Sequence, residues 1–167
     1  MKQIPLTQGQ ITVVDDEDFD WLSRTGWFAS RHKTQSFYAV RNVGKSPNQR
    51  PLRMQNEIWV HYNGPVPEGF TVDHADRNTL DNRVSNLRLA TLSQQAQNKR
   101  LLSSANTSGY KGVSRHTQSG KWWARIRVGG KEISLGLYAD LIEAARAYDE
   151  AARIHFDPAF AQLNFPQ

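Results

Sequence analysis

The chain has 167 residues, 38% of them hydrophobic and five of them tryptophan, which suits one ordinary domain or two small ones with a packed core. The absence of cysteine excludes disulfides and cysteine-based zinc sites, so any metal must be held by oxygen or imidazole ligands. No signal-peptide pattern and no apolar run of transmembrane length is present, so we expect an intracellular, cytoplasmic protein without a membrane partner.

The formal net charge of +5 is unevenly distributed along the chain. Residues 21–56 carry seven Lys or Arg and no acid, and residues 107–131 carry six and again no acid. Acids concentrate elsewhere, with five in residues 15–20 and six against two bases from residue 132 to the end. Positive charge is therefore gathered in two blocks, as a surface that binds a polyanion requires.

The N-terminal half predicts short elements separated by turns. In chain order these are a strand at Ile11–Val14, a short helix at 15–23, a hairpin of strands at 27–30 and 37–41, and a helix at 52–62. Asn63-Gly64 is a plausible C-cap for that helix, and residues 65–69 form a turn-rich connector.

The C-terminal half follows a Ser-, Asn- and Thr-rich stretch at 99–109 that is typical of a linker. The elements predicted after it are strands at 110–116, 121–128 and 131–137, with hairpin turns at 118–120 and 129–130, and a helix at 140–156. Asp140 is the predicted N-cap of that helix. One stripe of it carries the apolar residues Leu141, Ala145, Tyr148, Ala152 and Phe156.

The second predicted strand of this half alternates between an apolar and a basic face. Trp122, Ala124, Ile126 and Val128 share the face that can pack on the alanine-rich helix, whereas Trp123, Arg125 and Arg127 share the other. Arginine can pair with guanine edges or with phosphate. A merely solvated basic face is the plainer interpretation, but the lack of acids in this segment and their crowding on the helix favour DNA binding.

Residues 108–165 contain YKGV, GKW, an LG-aromatic step, EAARAYDEAA and LNFP in that order. This pattern resembles the plant ethylene-response-factor (apetala-type) DNA-binding domain. The resemblance implies a three-stranded antiparallel sheet packed on one helix, with the sheet in the major groove. The implied contacts are Lys111, Arg115, His116, Arg125 and Arg127, to which the exposed face adds Trp123. The family often has Arg at the position of Ser114 and an aromatic residue near Ser134.

A second candidate site lies at Asp73-His74, which is followed by many polar side chains up to Asn98. Hydrolysis of a phosphodiester needs a base, a positive charge for the transition state, and help for the leaving oxygen. His74 can supply the base, and Asp73 can hold a hard divalent cation such as Mg²⁺. Taken alone, the Asp-His pair is weak, because either residue can be an ordinary surface polar group.

Residues 50–100 contain GPVPEGFTVDH, LDNRVSNLRLAT and an SQ..QN tail, and they resemble the HNH (ββα-metal) endonucleases of phage and bacterial homing type. The resemblance implies a divalent metal, Asp73 as its ligand, His74 as general base and Asn86 as the residue that orients the loop. The family places Asn or His as the last ligand on the closing helix, where this chain has Gln95, and Asn98 lies one turn further on. The family's His-Arg near residues 55–56 is missing.

These observations predict an α+β fold in which a ββα-metal (HNH) nuclease domain with a small strand-rich N-terminal part occupies residues 1–100. The predicted fold continues with a linker at 101–107 and a DNA-binding domain at 108–165. That domain is predicted to be a three-stranded antiparallel sheet packed on one helix. The predicted function is a metal-dependent homing-type endonuclease acting on double-stranded DNA. A transcriptional regulator with a degenerate nuclease centre is the alternative, favoured by Gln95. RNA binding is a third possibility, disfavoured because the sheet lacks several stacking aromatics.

Overall fold

The computed structural model describes residues 1–31, 36–98 and 106–166, which divide into two compact units, Met1–Leu92 and Ser93–Gln167. Each unit combines antiparallel strands with helices, so the predicted α+β class is confirmed. The predicted linker at 101–107 falls mostly outside the described residues, and the predicted domain limits stay a prediction. No helix within these described ranges combines the length and apolar character needed to cross a membrane.

The described part of the first unit contains three small antiparallel sheets and two α-helices. Its elements are β1 Lys2–Pro5, β2 Ile11–Val14, α1 Phe19–Leu22, β3 Phe28–Arg31, β4 Phe37–Val43, β5 Arg50–Arg53, α2 Met54–Asn63, β6 Phe70–His74 and β7 Leu87–Thr91. β1 pairs with β2, β4 lies between β3 and β5, and β6 pairs with β7. The hairpin predicted from the two early strand patterns is therefore present as β3 and β4.

Helix α2 anchors the core of this unit, since Met54 and Ile58 are fully buried against Val14 and Leu22. The helix begins two residues later than its apolar spacing predicts. The reason is that β5 pairs with β4 up to the Val40–Arg53 register and so commits those backbone groups to a strand. It ends as predicted at Gly64, which has φ 77° and whose N–H bonds the carbonyl of Val60.

The second unit contains the C-terminal sheet and its helix. Its elements are the rest of α3 Leu92–Asn98, then β8 Val113–Arg115, β9 Trp122–Val128, β10 Lys131–Tyr138 and α4 Leu141–His155. The sheet order is β10-β9-β8 and every pairing is antiparallel. Asp140 is the N-cap of α4, because its carboxylate accepts hydrogen bonds from the N–H groups of Ile142 and Glu143. The three predicted strands and the predicted helix are thus confirmed.

The first strand of this sheet is shorter than predicted, beginning at Val113 and not at residue 110. The preceding chain makes turns: Gly109 and Gly112 have φ of 77° and 73°, and the Ser108 hydroxyl donates to the Val113 carbonyl at 2.8 Å. Gly112 passes directly beneath Tyr148 of α4. A Cβ on Gly112 would lie only 2.0 Å from the Cδ2 atom of Tyr148. The close approach of this turn to α4 therefore requires glycine.

A buried carboxylate ties the C-terminal LNFP segment to the helix. Asp149, 2% exposed, accepts one hydrogen bond from the N–H of Asn164 and another from that of Phe165, both at 2.8 Å. The Asn164 side chain in turn accepts from the Lys111 N–H at 2.7 Å. The tail thereby holds the turn that leads into β8, so the YKGV and LNFP motifs meet in the fold.

Candidate functional site

His74 is the last residue of β6 and is almost completely buried, with 3% of its surface exposed. β6 runs antiparallel to β7, and His74 lies opposite Leu87. The residues between His74 and Leu87 therefore form a loop that begins and ends at this pair. That loop is also joined to β2, because the Val13 N–H bonds the Leu80 carbonyl and the Asn82 N–H bonds the Val13 carbonyl, each at 2.8 Å. His74 therefore lies between two parts of the chain that are distant in sequence.

A chain of buried hydrogen bonds fixes the proton on the His74 ring. The Thr12 hydroxyl donates to the Leu80 carbonyl at 2.8 Å, so its oxygen is left to accept from the Asn82 side-chain NH₂, also at 2.8 Å. The amide oxygen of Asn82 must then face His74 Nε2, at 3.1 Å. A carbonyl oxygen can only accept, so Nε2 carries the hydrogen and the neutral ring has its lone pair on Nδ1.

Burial also favours the neutral ring. Desolvation lowers the pKa of His74 below its ordinary value, and the hydrogen bond to Asn82 and the nearby charges of Asp73, Asp76 and Asp81 offset part of that effect. The imidazole is consequently in its basic form at neutral pH. A neutral imidazole with a defined acceptor nitrogen is the form that a general base must have.

Asn86 holds the loop that follows His74. Its side-chain oxygen accepts from the Asp76 N–H at 3.0 Å, and its NH₂ group donates to the Asp81 carbonyl and to the Asp76 carboxylate, both at 2.8 Å. Its own carbonyl accepts from the Ala75 N–H at 2.8 Å. Asn86 thus closes the loop from inside, and the role it fits is that of a positioning residue acting through the loop.

Asp73 precedes His74 on β6 and lies opposite Arg88 of β7. One of its carboxylate oxygens is 3.3 and 3.4 Å from two nitrogens of the Arg88 guanidinium, and 17% of its side chain is exposed. Within the described ranges, no three His, Cys, Asp or Glu side chains cluster closely enough to hold a metal. Mg²⁺ is usually held by one or two carboxylates together with several waters, and a carboxylate is the kind of ligand that Asp73 would supply.

The two amides predicted as further metal ligands, Gln95 and Asn98, lie on α3. Both belong to the second unit, whereas Asp73 and His74 belong to the first. Asn98 is buried, with 7% of its surface exposed. The ligand roles of these two amides stay a prediction.

The structure places two further residues beside His74 or its partner, Asn82 and Thr12. The sequence alone predicts no role for either of them. Asn82 sits in the LDNR motif that supports the HNH resemblance, so a signal for it was present. Thr12 is 70 positions from Asn82, and nothing in its local sequence indicates this contact.

β9 has the two alternating faces that the sequence predicts. Ala124 and Ile126 are buried toward α4, while Trp123 and Arg125 are half-buried on the opposite side and Arg127 is exposed. The Trp123 indole N–H donates to the Ser134 hydroxyl at 2.8 Å, and the Arg125 guanidinium lies 4.6 Å from the centre of the Trp123 ring. We call the side of the sheet that carries Trp123, Arg125 and Arg127 the basic face.

The basic face is not free of acids. The sequence places an acid-free block at 107–131, but β10 folds back on β9 and brings Glu132 onto the basic face. Its carboxylate lies 3.2 Å from a guanidinium nitrogen of Arg125, and it is opposite Arg127 in the strand register. The basic face therefore carries an acid, because linear charge blocks take no account of strand pairing.

The remaining predicted contacts lie around β8. His116 accepts or donates a hydrogen bond with the Ser119 hydroxyl at 2.9 Å and meets the Trp123 ring edge-on, so it adjoins the basic face. The Arg115 guanidinium stacks 4.8 Å from the centre of the Trp122 ring. The Lys111 ammonium donates to main-chain carbonyls at the end of α3, including that of Gln97, so it is engaged within the protein.

Comparison with known proteins bears on both units. Residues 54–97 match the family model for HNH endonuclease, and residues 108–153 match the model for the AP2 domain. Protein 3.8 of Escherichia phage T7 is 36% identical over 80 residues, which cover 48% of this chain and 65% of the phage protein.

The relatives of the second unit are plant proteins. The AP2-like ethylene-responsive transcription factor AIL7 of Arabidopsis thaliana is 52% identical over 64 residues, which cover 37% of this chain and 13% of the plant protein. The ethylene-responsive transcription factor WRI1 of the same plant is 50% identical over 64 residues, or 15% of its length. The chain spans less than two thirds of each of these relatives. The predicted combination is confirmed: the chain carries an HNH endonuclease segment followed by an AP2 domain.

Proposed function

We propose that this protein is a metal-dependent DNA endonuclease of homing type. In this proposal the HNH segment hydrolyses a phosphodiester bond and the basic face binds the major groove of the duplex. The observation that carries it is the buried, neutral His74, whose Nε2–H is directed to Asn82 so that Nδ1 is the basic nitrogen. Such an arrangement, in a segment of HNH type, supports a general base.

The chemistry follows from these side chains. His74 Nδ1 takes a proton from a water molecule as the water oxygen bonds to phosphorus and the bond to the leaving ester oxygen breaks. The imidazolium formed in that step is stabilised because Asn82 continues to accept from Nε2–H. Asp73 would hold a divalent cation, Mg²⁺ by preference, and that ion would supply positive charge beside the phosphate and the leaving oxygen.

Cleavage is tested by incubating the full chain with supercoiled plasmid and with a random duplex library. Parallel reactions contain Mg²⁺, Mn²⁺, Ca²⁺ or EDTA, and new DNA ends are sequenced. We expect nicks or breaks at preferred sites with Mg²⁺ and none with EDTA, because a divalent cation is needed for the leaving oxygen. If the protein binds the same DNA but produces no new ends with any metal, the endonuclease proposal is refuted.

A DNA-binding regulator with a degenerate nuclease centre is the second candidate. It is favoured by Gln95, which stands where the HNH resemblance places Asn or His on the closing helix. The glutamine side chain is one methylene longer than that of asparagine, so its amide oxygen lies farther from the backbone. DNA binding without cleavage in the experiment above is the result that this candidate requires.

Binding by the basic face is tested with the double variant Arg125→Ala/Arg127→Ala. Each Arg that neutralises a phosphate contributes about 0.9 to the slope of log K against log salt, so we expect the slope to fall by about 1 to 2 and the affinity for duplex DNA to drop at least about tenfold. Fluorescence anisotropy over a salt series measures both quantities.

The matched control for this variant is Arg146→Ala/Arg153→Ala. It removes the same charge from two exposed positions on α4, on the other side of the sheet. We expect its salt slope to stay close to that of the wild type. Equal slopes for the wild type and the Arg125→Ala/Arg127→Ala variant would refute the basic face as the DNA-binding surface.

A further inference from the structure

Glu132 is the one acid within the three strands of the second unit, and it lies between the two arginines of the basic face. Its two carboxylate oxygens are 3.2 and 3.3 Å from Nη1 of Arg125, and its backbone pairs with that of Arg127. Both side chains of the ion pair are 38% exposed. An ion pair this exposed adds little to stability, so folding gives no strong reason for an acid at this position.

The ion pair belongs to an ordered row of side chains. The Ser134 hydroxyl holds the Trp123 indole, the indole ring supports the Arg125 guanidinium, and that guanidinium contacts Glu132. Each member is fixed by its neighbour before any ligand arrives. The row places the hydrogen-bond donors of a guanidinium beside the two acceptor oxygens of a carboxylate. Because these groups are already ordered, binding a base edge with complementary donors and acceptors costs less conformational entropy.

The matching edge is that of a guanine–cytosine step in the major groove. Guanine O6 and N7 accept hydrogen bonds from arginine, and the N4 amino group of cytosine donates to a carboxylate. Toward phosphates, in contrast, the Glu132 charge is repulsive and weakens binding that does not depend on sequence. A carboxylate at this position therefore weakens the affinity for DNA of any sequence and favours discrimination between bases.

We propose that Glu132 is a specificity-determining residue of the basic face, whose carboxylate selects cytosine at one position of the bound DNA while Arg125 binds an adjacent guanine. This inference rests on the proposed binding of duplex DNA by the basic face. It goes further by naming the base, the side chain and the direction of the preference.

The test is selection of binding sites from a random duplex library by the full chain, as wild type, Glu132→Gln and Glu132→Ala. For the wild type we expect cytosine at one position, next to guanine. Each good base contact is worth roughly 1–3 kcal/mol, so both variants should lose that cytosine preference by roughly 5- to 150-fold. Because one repulsive charge is gone, their binding to unselected DNA should become tighter.

The matched control is Glu150→Gln, which makes the same change of charge at an exposed position of α4. It should keep the cytosine preference. If the Glu132 variants select the same bases as the wild type and merely bind all DNA more tightly, the carboxylate is only repulsive and the inference is overturned. Failure of the proposed function looks different, since wild-type protein would then not bind duplex DNA, or its salt slope would not depend on Arg125 and Arg127.

Discussion

Replacing His74 with alanine is expected to abolish DNA cleavage and to leave duplex binding within about twofold of wild type. The substitution removes the nitrogen that accepts the proton of the attacking water, and loss of a positioned general base slows a reaction by roughly 10²- to 10⁴-fold. The basic face belongs to the other unit and keeps all of its side chains. Single-turnover cleavage of an end-labelled duplex, with binding measured by anisotropy on the same DNA, separates the two effects.

The matched control is His61→Ala, since His61 is an exposed residue of α2 that stacks on Trp21. It should cleave at the wild-type rate. The alanine at position 74 also leaves the Asn82 amide oxygen buried without its donor, so circular dichroism must show that the variant is folded. A folded His74→Ala variant that still cleaves as fast as His61→Ala would remove the imidazole from the mechanism.

The parts of the fold that the sequence predicts well are those specified by local patterns. Strand alternation alone separates Ala124 and Ile126 from Arg125 and Arg127, and the structure buries the first pair and turns the second outward. Asp140 is likewise identified as a helix cap by its position before an apolar stripe. Such features need only a few neighbouring residues to specify them.

The features that were missed depend on chain segments that meet only after folding. Thr12 and Asn82 are 70 residues apart, so neither has a local pattern that indicates the hydrogen-bond chain to His74. Glu132 follows an acid-free block in the sequence but lies among arginines once β10 pairs with β9. The short edge strand β5, with a proline at its second position, is also too irregular for a strand pattern to reveal.

Gly112→Ala is expected to have the largest effect on the second unit. The new methyl group would lie 2.0 Å from Cδ2 of the Tyr148 ring and 2.6 Å from the main-chain oxygen of Arg125, so neither neighbour can make room by a small side-chain adjustment. Overpacking of a core costs about 1–3 kcal/mol and sometimes more, and an L side chain at this positive φ costs about 1–2 kcal/mol further. Together these are a large share of the stability of a small domain.

Gly109→Ala is the matched control, because Gly109 has nearly the same φ, 77° against 73°, and a Cβ there would meet nothing within 4 Å. It should cost about 1–2 kcal/mol, from the backbone conformation alone. Amide hydrogen exchange in β9 of the full chain measures both variants. We expect protection to be lost in Gly112→Ala, together with DNA binding, and mostly retained in Gly109→Ala. Equal loss of protection in the two variants would mean that backbone conformation, and not the close packing beneath Tyr148, is what requires glycine at position 112.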